Sequence, residues 1–126
     1  MEFFASIPIG CDETRLQRRL QIASLAQGCS LIQRVLSAEN ERGEIFCLWG
    51  QFEVRREALR CGVRFSLPGC PNALAWTITR QELEQEPEIL IHCTINQQRE
   101  DPDFVASLQQ FVEAWRDGLP ALLSPA

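Results

Sequence analysis

One histidine, His92, and six cysteines are the side chains in this 126-residue sequence that could supply imidazole or thiolate chemistry near neutral pH. With a single imidazole, two-histidine zinc motifs are ruled out, and any Cys–His pair or Ser–His triad must run through His92. His92 and Cys93 are neighbours in a predicted strand, so they point to opposite faces and cannot form a nucleophile and base together. Cys47 could share a face with His92 if their strands adjoin; otherwise His92 is simply a half-exposed strand residue. The sequence contains no Lys and no Tyr, which removes Schiff-base lysines, phosphate-loop lysines and tyrosine acid–base chemistry. Glu82, Glu84, Glu86 and Glu88 form an acidic run, but residues 81–87 lack the Asp, Asn and Gly with which a calcium loop bends around its ion, so they read as a solvated loop. Glycine-rich phosphate loops, GxSxG elbows and dinucleotide fingerprints are absent from the sequence. No catalytic constellation, metal site or cofactor is expected.

Cys11, Cys29, Cys47, Cys61, Cys70 and Cys93 are widely spaced with no CxxC pair, and most read as buried free thiols rather than disulfide partners. Near the N-terminus Glu2 stands where a signal peptide needs positive charge, and Pro8 and Gly10 interrupt the apolar run. No stretch approaches the ~20 apolar residues of a membrane-spanning helix. A cytoplasmic protein without membrane attachment is therefore the expectation. The formal charge of -5, with all 12 cations being Arg, opposes binding to nucleic acid phosphates. At 45% hydrophobic and 23% charged residues, the composition fits one ordinary domain spanning 1–126.

The elements that must position these residues belong to an α+β class. The expectation is an antiparallel sheet of five to six strands, an N-terminal helix after the first strand, and a C-terminal amphipathic helix packed on the sheet. Residues 3–9 read as the first strand and 12–28 as the first helix, with Asp12 as its N-cap, Leu16, Leu20, Ala23 and Leu25 on its apolar stripe, and Gly28 as its stop. Residues 30–38 read as a strand turning at 39–43, and residues 73–80 as another after the Pro/Gly loop 67–72. The next strand places Ile89, Ile91, Cys93 and Ile95 on one face. In the middle of the chain, a turn centred on Arg55 and Arg56 pairs Phe46 with Phe65, Leu48 with Val63, Gly50 with Cys61 and Phe52 with Leu59, all on one face. Asp101 and Pro102 then open a helix in which Phe104, Leu108, Phe111, Val112, Trp115 and Leu119 recur at three and four residues, ending near Gly118 and Pro120.

That central hairpin register carries the candidate site. On its second face Trp49 lies over Gly62 with Arg60 and Arg64 nearby, residue types common among interface hot spots. Trp49, Arg60 and Arg64 are the candidate partner-binding residues; the competing expectation is that the first helix covers Ile45 and Trp49. The alternative site is an apolar pocket between sheet and C-terminal helix, lined by Phe104, Leu108 and Phe111.

The stretch EILIHCTINQQREDPDFVASLQQFVEAWRDGL, about a quarter of the chain, resembles the final strand and helix of class I type III secretion chaperones. That resemblance implies a dimer that holds a segment of a secreted protein against its sheet. The element order also resembles a trimmed helix-grip domain of the lipid-transfer type, which implies an apolar pocket under the final helix. The leading expectation is a non-enzymatic protein-binding module, an adaptor, inhibitor or escort, whose partner is another protein met as an extended segment, with homodimerisation a further expectation. A small-molecule binder comes second, and an enzyme using His92 or a cysteine third.

Overall fold

Seven strands and one long helix dominate residues 1–97 and 101–124, the part of the chain that the computed structural model describes. The strands β1 (Glu2–Ile7), β2 (Ile32–Glu39), β3 (Arg42–Cys47), β4 (Gly50–Leu59), β5 (Gly62–Ser66), β6 (Ala75–Leu83) and β7 (Glu86–Thr94) form one antiparallel sheet, ordered β1-β7-β6-β5-β4-β3-β2. From β2 to β7 the chain is a meander, and β1 closes onto the last strand. The α+β class and antiparallel sheet match expectation; the strand count is seven rather than five to six.

The extra strand follows from where the turns fall. β3 pairs with β4 from Arg42↔Arg55 to Cys47↔Gly50, and β4 pairs with β5 from Arg55↔Ser66 to Leu59↔Gly62. Phe46 therefore faces Gln51 and Phe65 faces Arg56, and none of the four pairs expected around Arg55 and Arg56 forms. The chain reverses instead at Leu48–Trp49, where Gly50 takes φ +117, and again at Arg60–Cys61. A two-residue turn followed by a positive-φ glycine is a common hairpin closure, and turn chemistry decides the register because alternation runs through both strands alike. The acidic segment 81–87 is mostly strand as well: β6 and β7 pair out to Leu83↔Glu86, closed by Glu84 and Gln85 at φ 53 and 68.

The N-terminal helix is broken into three pieces: α1 (Glu13–Arg19), a 3-10 turn (Ile22–Ser24) and α2 (Leu25–Gly28). Asp12 caps α1 as expected, accepting from the Arg15 amide at 2.7 Å. The break coincides with Arg56, whose guanidinium donates to the carbonyls of Gln17 and Leu20 at 2.6 Å each, at the point where α1 ends. The last helix, α3 (Pro102–Leu122), is capped by Asp101 and runs through Gly118 and Pro120 rather than stopping at them.

All the helical segments lie on one face of the sheet. That face supplies Val54, Val63, Phe65, Trp76, Ile78, Ile89, Ile91 and Cys93, and α3 adds Leu108, Phe111, Val112, Trp115 and Leu119. At the centre Trp76 stacks on Phe65 and meets Phe111 edge-on, with ring centroids 5.4 and 5.0 Å apart. Among the described residues, nothing packs over the sheet's other face. No described helix is long and apolar enough to cross a membrane.

Candidate functional site

The uncovered face of the sheet can be read row by row from the register. Phe4, His92, Thr77, Arg64 and Glu57 are successive cross-strand neighbours from β1 to β4. Strand alternation turns them away from the buried Ile91, Ile78 and Val63. Beside this row run Ser6, Leu90, Thr79, Gly62 and Leu59. The floor is therefore low, built of Thr and Gly, with an aromatic end and a charged end.

At the aromatic end the Phe4 ring lies flat on the imidazole of His92, with centroids 4.4 Å apart and planes within 3°. His92 Nε2 sits 2.9 Å from a carboxylate oxygen of Glu2. Phe4 is nevertheless 51% exposed, a large apolar side chain left half in water. At the charged end Arg64 pairs loosely with Glu57 at 3.8 Å. Farther along the same face Phe46, also largely exposed, lies between Arg34 and Gln51.

The sequence-derived candidates are not brought together. Trp49 occupies the β3–β4 turn and docks on α3: its indole N–H donates to Ser107 Oγ at 2.9 Å, and its ring centroid is 4.9 Å from that of Phe111 and 6.0 Å from that of Phe104. It thus lies neither over Gly62 nor beneath the first helix. Arg60 is in the exposed turn at the far end of β4, roughly 30 Å away at about 3.3 Å per strand residue. Arg64 does lie on the uncovered face. Alternation puts Leu90 and His92 on the face opposite Ile91 and Cys93, but the sequence reading did not join that face to Arg64 or place Phe4 on it; the same alternation in β1, which sets Phe4 opposite in facing to Phe3, is the signal that could have done so.

The apolar set under α3 is packed rather than hollow. Leu108 and Phe111 are buried, and Trp49 and Trp76 both abut the Phe111 ring. Two pockets of about 350 and 300 Å3 open elsewhere, one beside Ser37, Glu39, Arg42 and Glu53, the other beside Ser30, Gln110, Glu113 and Asp117. Their linings are mainly polar.

All six cysteines are free thiols. Burial pushes Cys29 and Cys93 up to about 12 and raises Cys11 and Cys47, the direction that suppresses thiolate and with it nucleophilicity. A dyad of His92 with Cys47 is excluded by geometry: Cys47 is on the helix-covered face, and β3 is four strands from β7, roughly 19 Å at about 4.8 Å per strand. No group of three or more His, Cys, Asp and Glu among the described residues could hold a metal ion.

No protein-family model matches the chain, and no curated protein matches it either. Two solved structures share its architecture over nearly the whole length. One, an uncharacterised protein from Bacillus thuringiensis, aligns with a TM-score of 0.65 and 16% identity over 98% of this chain and 96% of that one. The other, a protein from Chromobacterium violaceum, aligns with a TM-score of 0.60 and 15% identity over 99% of both chains. Likeness at this identity establishes the fold alone.

Proposed function

We propose that the protein is a non-enzymatic protein-binding module, an adaptor, inhibitor or escort, that receives an extended partner segment on the uncovered face of its sheet. The observation that carries this reading is the one-sided coverage of the sheet together with the half-exposed Phe4–His92 stack on its bare face. Burying Phe4 and Leu90 beneath a partner would remove apolar surface from water, and Arg64 would supply directional hydrogen bonds. The low Thr and Gly floor between them leaves room for a chain to lie flat. The filled space around Leu108 and Phe111 gives the small-molecule alternative less support. Six free thiols fit a reducing compartment, so a cytoplasmic location goes with the same proposal.

The test is capture from extract of the native host with wild-type protein and with Phe4→Asp and Arg64→Glu. Neither side chain belongs to the buried core, so both variants should stay folded, with the Phe4→Asp melting temperature lowered modestly by the lost stack on His92. Loss of a hot-spot contact weakens binding by about 2 kcal/mol or more, roughly 30-fold. Equal capture of the same partners by wild type and both variants would reject this face.

A further inference from the structure

Among the described residues, β1 has β7 on one side and no strand on the other. The hydrogen-bond phase of that free edge can be worked out. Met1 and Ile95 exchange both backbone bonds, the Ile95 amide donating to Met1 at 3.1 Å and the Met1 amino group to Ile95 at 3.2 Å. The β1–β7 register continues from there without a bulge, so Phe3, Ala5 and Ile7 bond inward to β7. The amides and carbonyls of Glu2, Phe4 and Ser6 consequently point out of the sheet edge. Phe4 adds an exposed ring at the midpoint of this edge. One face of that ring is stacked on His92, which leaves the other turned toward the edge.

The opposite edge is built differently. β2 carries two irregularities, between Ile32 and Arg34 and between Val35 and Ser37, which break its hydrogen-bonding phase twice. It also bears Arg34 and Glu39. Bulges and charges are the usual protections of an edge against strand addition, and β1 has no bulge and only Glu2 as a charge.

We infer that β1 pairs antiparallel with β1 of a second copy about a two-fold axis at Phe4. In a two-fold antiparallel ladder the residue numbers of each pair have a constant sum. A sum of eight pairs the three outward residues among themselves: Phe4 opposite its own counterpart, and Glu2 opposite Ser6 in both directions. Shifting by one bonded pair toward the C-terminus sets Glu2 against Pro8, which has no N–H to give. The opposite shift moves the axis off Phe4 and sets each Phe4 against a Glu2, so the two rings no longer meet. The favoured register opposes no like charges, although each chain carries -5 overall. It also joins two aromatic rings on the axis, a cross-strand pairing that stabilises sheets. The occupant that this edge fits is thus its own copy, in an isologous interface. The two seven-stranded sheets would become one of fourteen. This inference goes beyond the partner-binding proposal and does not depend on it. A six-residue edge is small for a stable interface of ~1,600 Å2, so the association is concentration-dependent.

Sedimentation equilibrium from about 1 µM to 1 mM, the range of weak interfaces, reads the outcome directly. The mass should rise from 14.3 kDa toward twice that value. Phe4→Arg sets two guanidinium groups against each other on the axis, and Ser6→Pro removes an outward N–H without touching the β7 ladder. Each should weaken association at least tenfold, whereas Leu36→Arg on β2 should leave it unchanged. Hydrogen exchange on the wild type needs no substitution: the amides of Glu2, Phe4 and Ser6 should slow as concentration rises. A single-chain mass throughout overturns the inference, and so does a dimer in which those three amides stay fast. Because Arg64→Glu lies off this edge, loss of partner capture in that variant with an intact dimer separates the two proposals.

Discussion

Arg56 is the charged side chain that the described core encloses, at 9% exposure. Its Nε and Nη2 donate to the carbonyls of Leu20 and Gln17 at the end of α1, and its Nη1 donates to both oxygens of Glu41 at 3.1 and 3.0 Å. One planar fork thereby ties α1, β4 and the β2–β3 turn together, which an ammonium group could not reproduce. The two halves of this arrangement differ in worth. Once the guanidinium is gone the Gln17 carbonyl keeps only the Gln21 side-chain amide, at 2.9 Å, and the Leu20 carbonyl loses its side-chain donor, while the Glu41 side chain is half exposed and would be solvated. Arg56→Met should therefore cost about 2 to 4 kcal/mol of stability. Glu41→Gln, which touches only the solvent-screened side, should cost about 1 kcal/mol or less. Urea midpoints of the two variants measure the ranking; a Glu41→Gln loss equal to that of Arg56→Met would mean that the ion pair, not the helix end, is what Arg56 serves.

The turns set most of what separates the elements from their sequence pattern. Glu84 and Gln85 close the β6–β7 hairpin with both residues at positive φ, a conformation that costs a side-chain-bearing residue roughly 1 kcal/mol or more. Replacing them by Asn-Gly, the pair suited to this turn, should raise stability by about 1 to 2 kcal/mol, read as a higher thermal midpoint. A lower midpoint would show that the hairpin closes differently. Nothing in Glu-Gln announces a turn, which explains why β6 and β7 were legible in their apolar residues yet not in their length. Strongly periodic pieces were readable: Ile89, Ile91 and Cys93 on the buried face, and the α3 stripe from Leu108 to Leu119. Glycines misled in two ways. Gly50 is a turn glycine inside what alternates like a strand. Gly118 looks like a helix stop, but a Cβ there would overlap the carbonyl of Gly28, so its role is to let α2 and α3 cross. Arg56 misled for a related reason: with Arg55 it reads as the centre of a turn, whereas it lies within β4 and is buried against the end of α1. The candidate site inherited these errors: Arg64 reached the bare face, but Trp49 was carried by its turn onto α3.

At the scale of the whole molecule, the absence of Lys and Tyr leaves the thiols almost alone in the alkaline range. Cys29 and Cys93 are pushed by burial from an ordinary 9.0 up to about 12, and Cys11 and Cys47 are raised in the same direction. The folded chain thus keeps these protons at a pH where the unfolded chain has released them. Fewer protons bound in the unfolded state means that stability falls as pH rises. The contribution of each thiol is fully present below pH 9.0 and is lost between there and its folded value, about 12 for Cys29 and Cys93. Arg stays charged throughout this range, so it adds no slope of its own. Urea midpoints should accordingly hold level from about pH 7.5 to 8.5 and then decline, by up to roughly 1.4 kcal/mol per pH unit for each buried thiol. Cys93→Ala isolates one of them. The variant starts less stable, because a well-packed side chain is truncated, but its alkaline slope should be shallower by about one proton's worth. An unchanged slope in Cys93→Ala would show that this thiol is reached by water in the folded state, and that the core beneath α3 and β7 opens more readily than its packing implies.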